Sequence, residues 1–159
     1  AAYQYYLDAI KRDGIPYELI TKALPTIEGA VNDILAQIVD FSMVLEMDGK
    51  NVNCFIVYDD DNIWPLELSS GMERFISSLA MRVGLINVSN LPAANFLAID
   101  EGWGTMDSDN LNSVYSLFQY LKTQFQFTMI VSHIDSMRDA VDTLLEIKKE
   151  DNFSNVSFD

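Results

Sequence analysis

One cysteine and one histidine stand in the 159-residue sequence. Cys54 lies in an apolar run; alone it excludes an internal disulfide and fits a reducing intracellular setting. Cationic residues are scarce too, with 10 Lys and Arg against 24 Asp and Glu and a net charge of −14. Such a chain repels a phosphate backbone as a whole, so any nucleic-acid contact is local or made elsewhere. No apolar run approaches the roughly 18 residues of a membrane span, and the opening AAYQYYLDAI lacks the layout of a signal peptide, so no membrane role is expected. The phosphate loop G-x-x-x-x-G-K-S/T is missing: Gly49-Lys50 runs into Asn51, and Val44 occupies the first glycine position. By itself the chain cannot cradle nucleotide phosphates. There is no G-x-S-x-G elbow, and Ser132-His133-Ile134-Asp135 is too compact to form a nucleophilic triad.

What is present is a folded domain, because 49% of the residues are hydrophobic and the length suits one core. Tyr3, Tyr6, Leu7 and Ile10 form a helical stripe over residues 1–13, ended by Gly14 and Pro16. That helix starts without a cap or an initiator Met, which suggests the end of a longer coiled coil. Residues 14–159 then read as the domain proper. A second helix follows from Pro16, with Leu19, Ile20, Ala23, Leu24, Ile27, Val31, Ile34, Leu35 and Ile38 at helical spacing and Pro25 predicting a kink or a break. Residues 41–47 and 52–58, joined around Asp48-Gly49, predict a hairpin, and residues 59–62 a solvated turn. Ser70 and Glu73 stand three apart ahead of Phe75, Ile76, Leu79, Val83 and Ile86, the pattern of a capping box opening a helix. Strand and helix then alternate: strand 95–100, helix 108–123, strand 127–132, a short helix from 134, strands 143–148 and 153–158. The order argues for an α/β fold, a mostly parallel sheet with flanking helices and a small antiparallel hairpin before it.

The chemistry gathers at strand ends. "NFLAIDEGWGTMD" places Asp100 and Glu101 where an apolar strand leaves the sheet, the one place where paired carboxylates are cheap. A crossover from strand 95–100 to strand 127–132 favours parallel strands, and so His133 emerges on the same edge as Asp100 and Glu101. Ligands of open α/β sheets bind at that edge. His133 is otherwise a helix-start residue after Ser132. Asp100 suits Mg²⁺ and Glu101 the polarisation of a water. Asp107 can cap the helix it precedes, with Met106 and Leu111 as staple, and Trp103 is expected to anchor packing. In "SSGMERF", Ser70-Gly71 at a helix N-terminus exposes amides to an anion, or is simply a cap.

Taken in order, "ELSSGMERF", "NFLAIDEGWGTMD" and "IVSH" resemble the signature motif, the Walker B with D-loop, and the switch histidine of coiled-coil ABC ATPases. Within them the chain most resembles the carboxy-terminal lobe of the Rad-fifty/SbcC group, relatives of SMC proteins. The resemblance covers roughly residues 10–150. It departs where Ser70-Gly71-Met72-Glu73 stands for a pattern with two consecutive glycines. It implies heads that dimerise around ATP and Mg²⁺, each site pairing the P-loop and Walker B of one head with the signature of the other. By it Ser70 and Gly71 contact the γ-phosphate across the dimer, Met72, Glu73 and Asp107 belong to the nucleotide-binding positions, Asp100 orders the metal, Glu101 is the catalytic base, Asp107 signals between heads and His133 senses the γ-phosphate. The implied partners are an amino-terminal P-loop lobe of the same protein, a second head, a nuclease of the Mre-eleven/SbcD type and DNA through the assembled complex. Alternatives are an SMC-like DNA tether whose partner is a kleisin, a transporter ATPase subunit, and a non-enzymatic α/β binding module.

Overall fold

The computed structural model describes residues 2–11, 13–49, 51–100, 103 and 111–158. They form two compact units, Ala1–Ala94 and Asn95–Asp159.

In the first unit, helix α1 (Ala2–Ala9) has no buried residue and is followed by Gly14. A Cβ on Gly14 would collide with the Asp8 and Ala9 carbonyl oxygens, so only glycine closes this turn. Helix α2 (Ile15–Leu35) carries Pro16 in its first turn, where no amide is needed, and runs on through Pro25. Of the expected kink or break, the break is therefore absent. Pro25 removes one hydrogen bond, whereas buried Leu24, Val31, Ile34 and Leu35 hold the helix around and beyond it. Of the apolar stripe, Leu19 and Ile20 remain exposed, because the packing partners reach only the later turns.

Strands β1 (Ser42–Asp48), β2 (Asn51–Asp59) and β3 (Asn62–Pro65) form an antiparallel sheet in that order. Gly49 at φ +59° supplies the left-handed turn expected of the hairpin. β3 was not expected. The β2–β3 register shifts between Val57 and Asp59, leaving Tyr58 as the extra residue of a bulge. The outer edge of β1 is closed by α2 through side chains. Asn32 donates to the Met43 carbonyl and accepts from the Met43 amide, both at 2.8 Å, and Glu28 accepts from the Leu45 amide at 2.7 Å. Three main-chain groups of this edge are thereby satisfied by helix side chains.

Helix α3 (Gly71–Val88) buries Met72, Ile76, Leu79, Ala80 and Val83 and approaches α2 closely at Gly84. A Cβ there would stand 3.0 Å from Cγ2 of Val31.

The second unit opens with β4 (Phe96–Asp100), which pairs directly and in parallel with β5 (Phe127–Val131) from Phe96↔Phe127 to Asp100↔Val131. Between them in sequence runs α4 (Leu111–Gln124), and its Val114, Leu117, Phe118 and Leu121 are buried. Trp103 is the expected anchor: it is buried and sets its ring edge-on against Phe118, centroids 5.4 Å apart. The short helix expected from 134 is a 3-10 stretch, Asp135–Ala140. β6 (Leu145–Glu150) and β7 (Phe153–Phe158) then close a hairpin on Asp151 and Asn152, both at positive φ. A two-residue turn of this handedness matches the twist of the strands it joins.

Candidate functional site

Before α3 the chain makes one 3-10 turn, Leu66–Leu68, which Ser69 stops by donating both its amide (3.2 Å) and its hydroxyl (2.7 Å) to the Leu66 carbonyl. Ser70 is then extended, at φ −64° and ψ 162°. Its hydroxyl accepts from the Glu73 amide (3.2 Å), and its own amide donates to Glu73 Oε2 (2.6 Å), so the expected capping box is complete. The Met72 side chain is buried in the core, which explains how a methionine fits where the motif has glycine: its bulk points inward and only its amide belongs to the first turn. Among the described residues none accepts from the Gly71 or Met72 amide.

A contact that no sequence spacing announced holds this arrangement. Tyr58, at the end of β2, donates its hydroxyl to the other Glu73 oxygen, Oε1, at 2.6 Å. Burial pushes the Glu73 carboxyl up, but the hydrogen bonds from Tyr58 and Ser70 outweigh it and the group titrates below its ordinary value. The Tyr58 phenol moves the other way, raised well beyond its usual range by burial and then by its bond to Glu73.

In the second unit, Asp100 ends β4, exposed, in register with Val131 at the end of β5. His133 follows two residues later and is exposed. Ser132 turns the chain between them. Its hydroxyl accepts from the Ile134 amide (3.1 Å) and lies 3.3 Å from Met137 Sδ. His133 is thus part of a turn stabilised by its neighbour, and the parallel pairing brings it and Asp100 to one carboxyl edge as expected. Glu101 and Asp107 lie outside the described residues. Among the described residues no group of three or more His, Cys, Asp or Glu side chains could hold a metal ion. Asp100 is a single carboxylate, which is what a magnesium carried mainly by phosphates and waters needs from a protein.

No family model matches the chain. It is 35% identical, over 97% of its length, to the uncharacterized protein R555 of Acanthamoeba polyphaga mimivirus, of which it covers 13%. It is 27% identical over 70% of its length to the SbcC subunit of the SbcCD nuclease of Staphylococcus aureus, of which it covers 11%. The chain therefore spans about an eighth or less of these relatives. Among solved structures, one described as belonging to a study of ATP-driven dimerization and DNA-stimulated activation of SMC ATPases superposes with a TM-score of 0.72 at 16% identity, covering 89% of this chain and 88% of that one. The Smc head of Pyrococcus furiosus, bound to the C-terminal domain of ScpA, gives 0.66 at 19% identity over 89% and 36% of the two chains.

The chain has the fold of the carboxy-terminal lobe of an SMC/SbcC-like ABC-ATPase head. Within this fold Ser70 and Gly71 open α3, Asp100 ends the parallel strand β4, and His133 follows β5, in the order of the sequence motifs. No described helix is long and apolar enough to cross a membrane.

Proposed function

We propose that this lobe is half of an ATP-hydrolysing head that dimerises on ATP and regulates a nuclease partner in the repair or recombination of broken DNA. The observation that carries the reading is the direct parallel pairing of β4 with β5, which sets Asp100 and the approach to His133 at one carboxyl edge. Similarity to an SbcC protein over 70% of the chain supports the nuclease-linked branch. On this reading residues 1–13 are the end of a coiled coil and 14–159 the lobe, and an amino-terminal P-loop lobe supplies the phosphate cradle this sequence lacks.

The residues fit the implied ligands. A helix N-terminus with two amides left without a described acceptor suits an anion, and one exposed carboxylate at a strand end suits Mg²⁺. When bound, ATP and Mg²⁺ supply the reacting phosphate and a charge that polarises it. The roles left to this chain follow from position. Ser70 offers its hydroxyl, and Gly71 and Met72 their amides, to the γ-phosphate of the opposite head, with Glu73 holding the turn. Asp100 orients the metal, and Glu101 accepts the proton of the attacking water. His133 donates toward the γ-phosphate, and Asp107 relays between the heads.

Ser70→Arg tests this. If Ser70 is only a cap, the loss costs about 1 kcal/mol of stability and leaves association alone. On the proposed reading, the head reassembled from this lobe and its P-loop lobe keeps ATP binding but loses ATP-driven dimerisation and hydrolysis. Light scattering with and without ATP, beside a nucleotide-affinity measurement, separates the two. A second reading, an SMC-like tether, is favoured by the Smc head solved with ScpA among the structural neighbours. Copurification with a metallonuclease rather than a kleisin-type partner decides between them.

A further inference from the structure

Glu73 poses a problem at the mouth of α3. A carboxylate in the first helical turn favours the helix through its dipole, yet it competes with any incoming anion for the same amides and repels it. The fold restrains it on both oxygens: the Ser70 amide takes Oε2 and the Tyr58 hydroxyl takes Oε1, each at 2.6 Å. Tyr58 is itself aimed by three features. It is the extra residue of the β2–β3 bulge, a device that redirects a side chain and recurs beside active sites. Its ring packs against buried Phe41 at 5.5 Å and against Trp64 at 5.7 Å, both tilted. Fifteen residues separate it from Glu73, so nothing local forces the contact.

We propose that Tyr58 is a positioning residue for the Ser70-Gly71 phosphate contact. By holding the Glu73 carboxylate against the Ser70 amide, it keeps that charge off the Gly71 and Met72 amides and fixes the extended backbone at Ser70 that presents them. The proposal rests on the reading of α3 given under Proposed function. Tyr58 touches no substrate and acts only through Glu73.

The test uses the head reassembled from this chain and its P-loop lobe, with ATP as the probe. Tyr58→Phe keeps the ring between Phe41 and Trp64 and deletes only the hydroxyl. The protein concentration for half-maximal ATP-driven dimerisation should rise about tenfold, a roughly threefold weakening at each of the two equivalent sites. ATP affinity of the undimerised head should not change, and the melting temperature should fall by no more than about 4 °C. In Tyr58→Phe/Glu73→Ala the loss should be no greater than in Glu73→Ala alone, since the hydroxyl then has nothing to hold. Unaltered dimerisation of Tyr58→Phe overturns the proposal, as do losses that simply add in the double variant. Ser70→Arg runs alongside. If it fails to dimerise while Tyr58→Phe is normal, this inference alone falls; if it still dimerises, the reading of the site falls and takes the inference with it.

Discussion

Replacing Gly84 with alanine measures how tightly α3, the helix that begins at the candidate site, is seated on α2. A glycine-to-alanine change in a helix interior ordinarily gains about 0.8–1 kcal/mol, because the glycine loses more backbone freedom on folding. At Gly84 the added Cβ would stand 3.0 Å from Cγ2 of Val31 and 3.4 Å from the Val31 amide nitrogen. Carbon atoms rest at about 3.5–4.0 Å, so at least half an ångström of overlap must be absorbed. Val31 cannot turn aside: it is fully buried, and a β-branched side chain in a helix has one favoured rotamer. The other obstacle is backbone. Overpacking of this kind costs about 1–3 kcal/mol, which leaves Gly84→Ala between neutral and about 2 kcal/mol destabilised after the propensity gain. Gly29, in the middle of α2, has nothing within 4 Å of the same construction. Gly29→Ala should therefore gain about 0.5–1 kcal/mol unopposed. The two alanines should thus differ by about 1–3 kcal/mol, read by urea unfolding at constant slope or as about 2–4 °C of melting temperature per kcal/mol. Adding Val31→Ala to Gly84→Ala should recover part of the loss that each change causes alone. Equal stabilisation by Gly84→Ala and Gly29→Ala would refute the close α2–α3 contact.

Three further outcomes are expected. Ser77 is fully buried in α3 and its hydroxyl has no described partner, so Ser77→Ala should raise the unfolding free energy by about 1 kcal/mol, and a lower stability would show that the hydroxyl is bonded. Glu73 titrates below its ordinary value of 4.5 when folded, so its contribution is present above that pH and lost as the pH falls through the lowered value; Tyr58 titrates above its ordinary 10.0, so its contribution is present below pH 10 and lost as the pH rises further. In Tyr58→Phe the alkaline loss should vanish and the acid loss shrink, and an unaltered stability profile against pH would contradict the Tyr58–Glu73 bond. Glu101→Gln in a reassembled head should keep ATP binding, accumulate the ATP-bound dimer and hydrolyse at a small fraction of the wild-type rate, since an amide keeps the shape but is a poor base. Turnover near the wild-type rate would remove Glu101 from the chemistry.

Much of this lobe is written locally. The alternation of β1 and β2 around Gly49, the Ser70/Glu73 box, and the apolar runs of β4 and β5 are properties of neighbouring residues, and each element appears within a few residues of where periodicity puts it. The acidic end of β4 and the lone histidine after β5 could be placed on one edge because a strand–helix–strand crossover has few solutions. Through-space matters were not legible. Pro25 carries a local signal for a kink or a break, and whether the helix continues past it depends on burial of the turns around and beyond it. The short strand β3 has too few residues to show a period, and the bulge it makes with β2 is a relation between two strands. The hold of Tyr58 on Glu73, the clasp of Asn32 and Glu28 on the edge of β1, and the need for glycine at 84 join residues with no fixed spacing in sequence. Sequence alone determined which residue types stand at each element's end, because caps, turns and strand exits are set by a residue and its next few neighbours. Only the tertiary structure decided which partners hold them there, because a hydrogen bond or a steric contact depends on distance in space rather than along the chain.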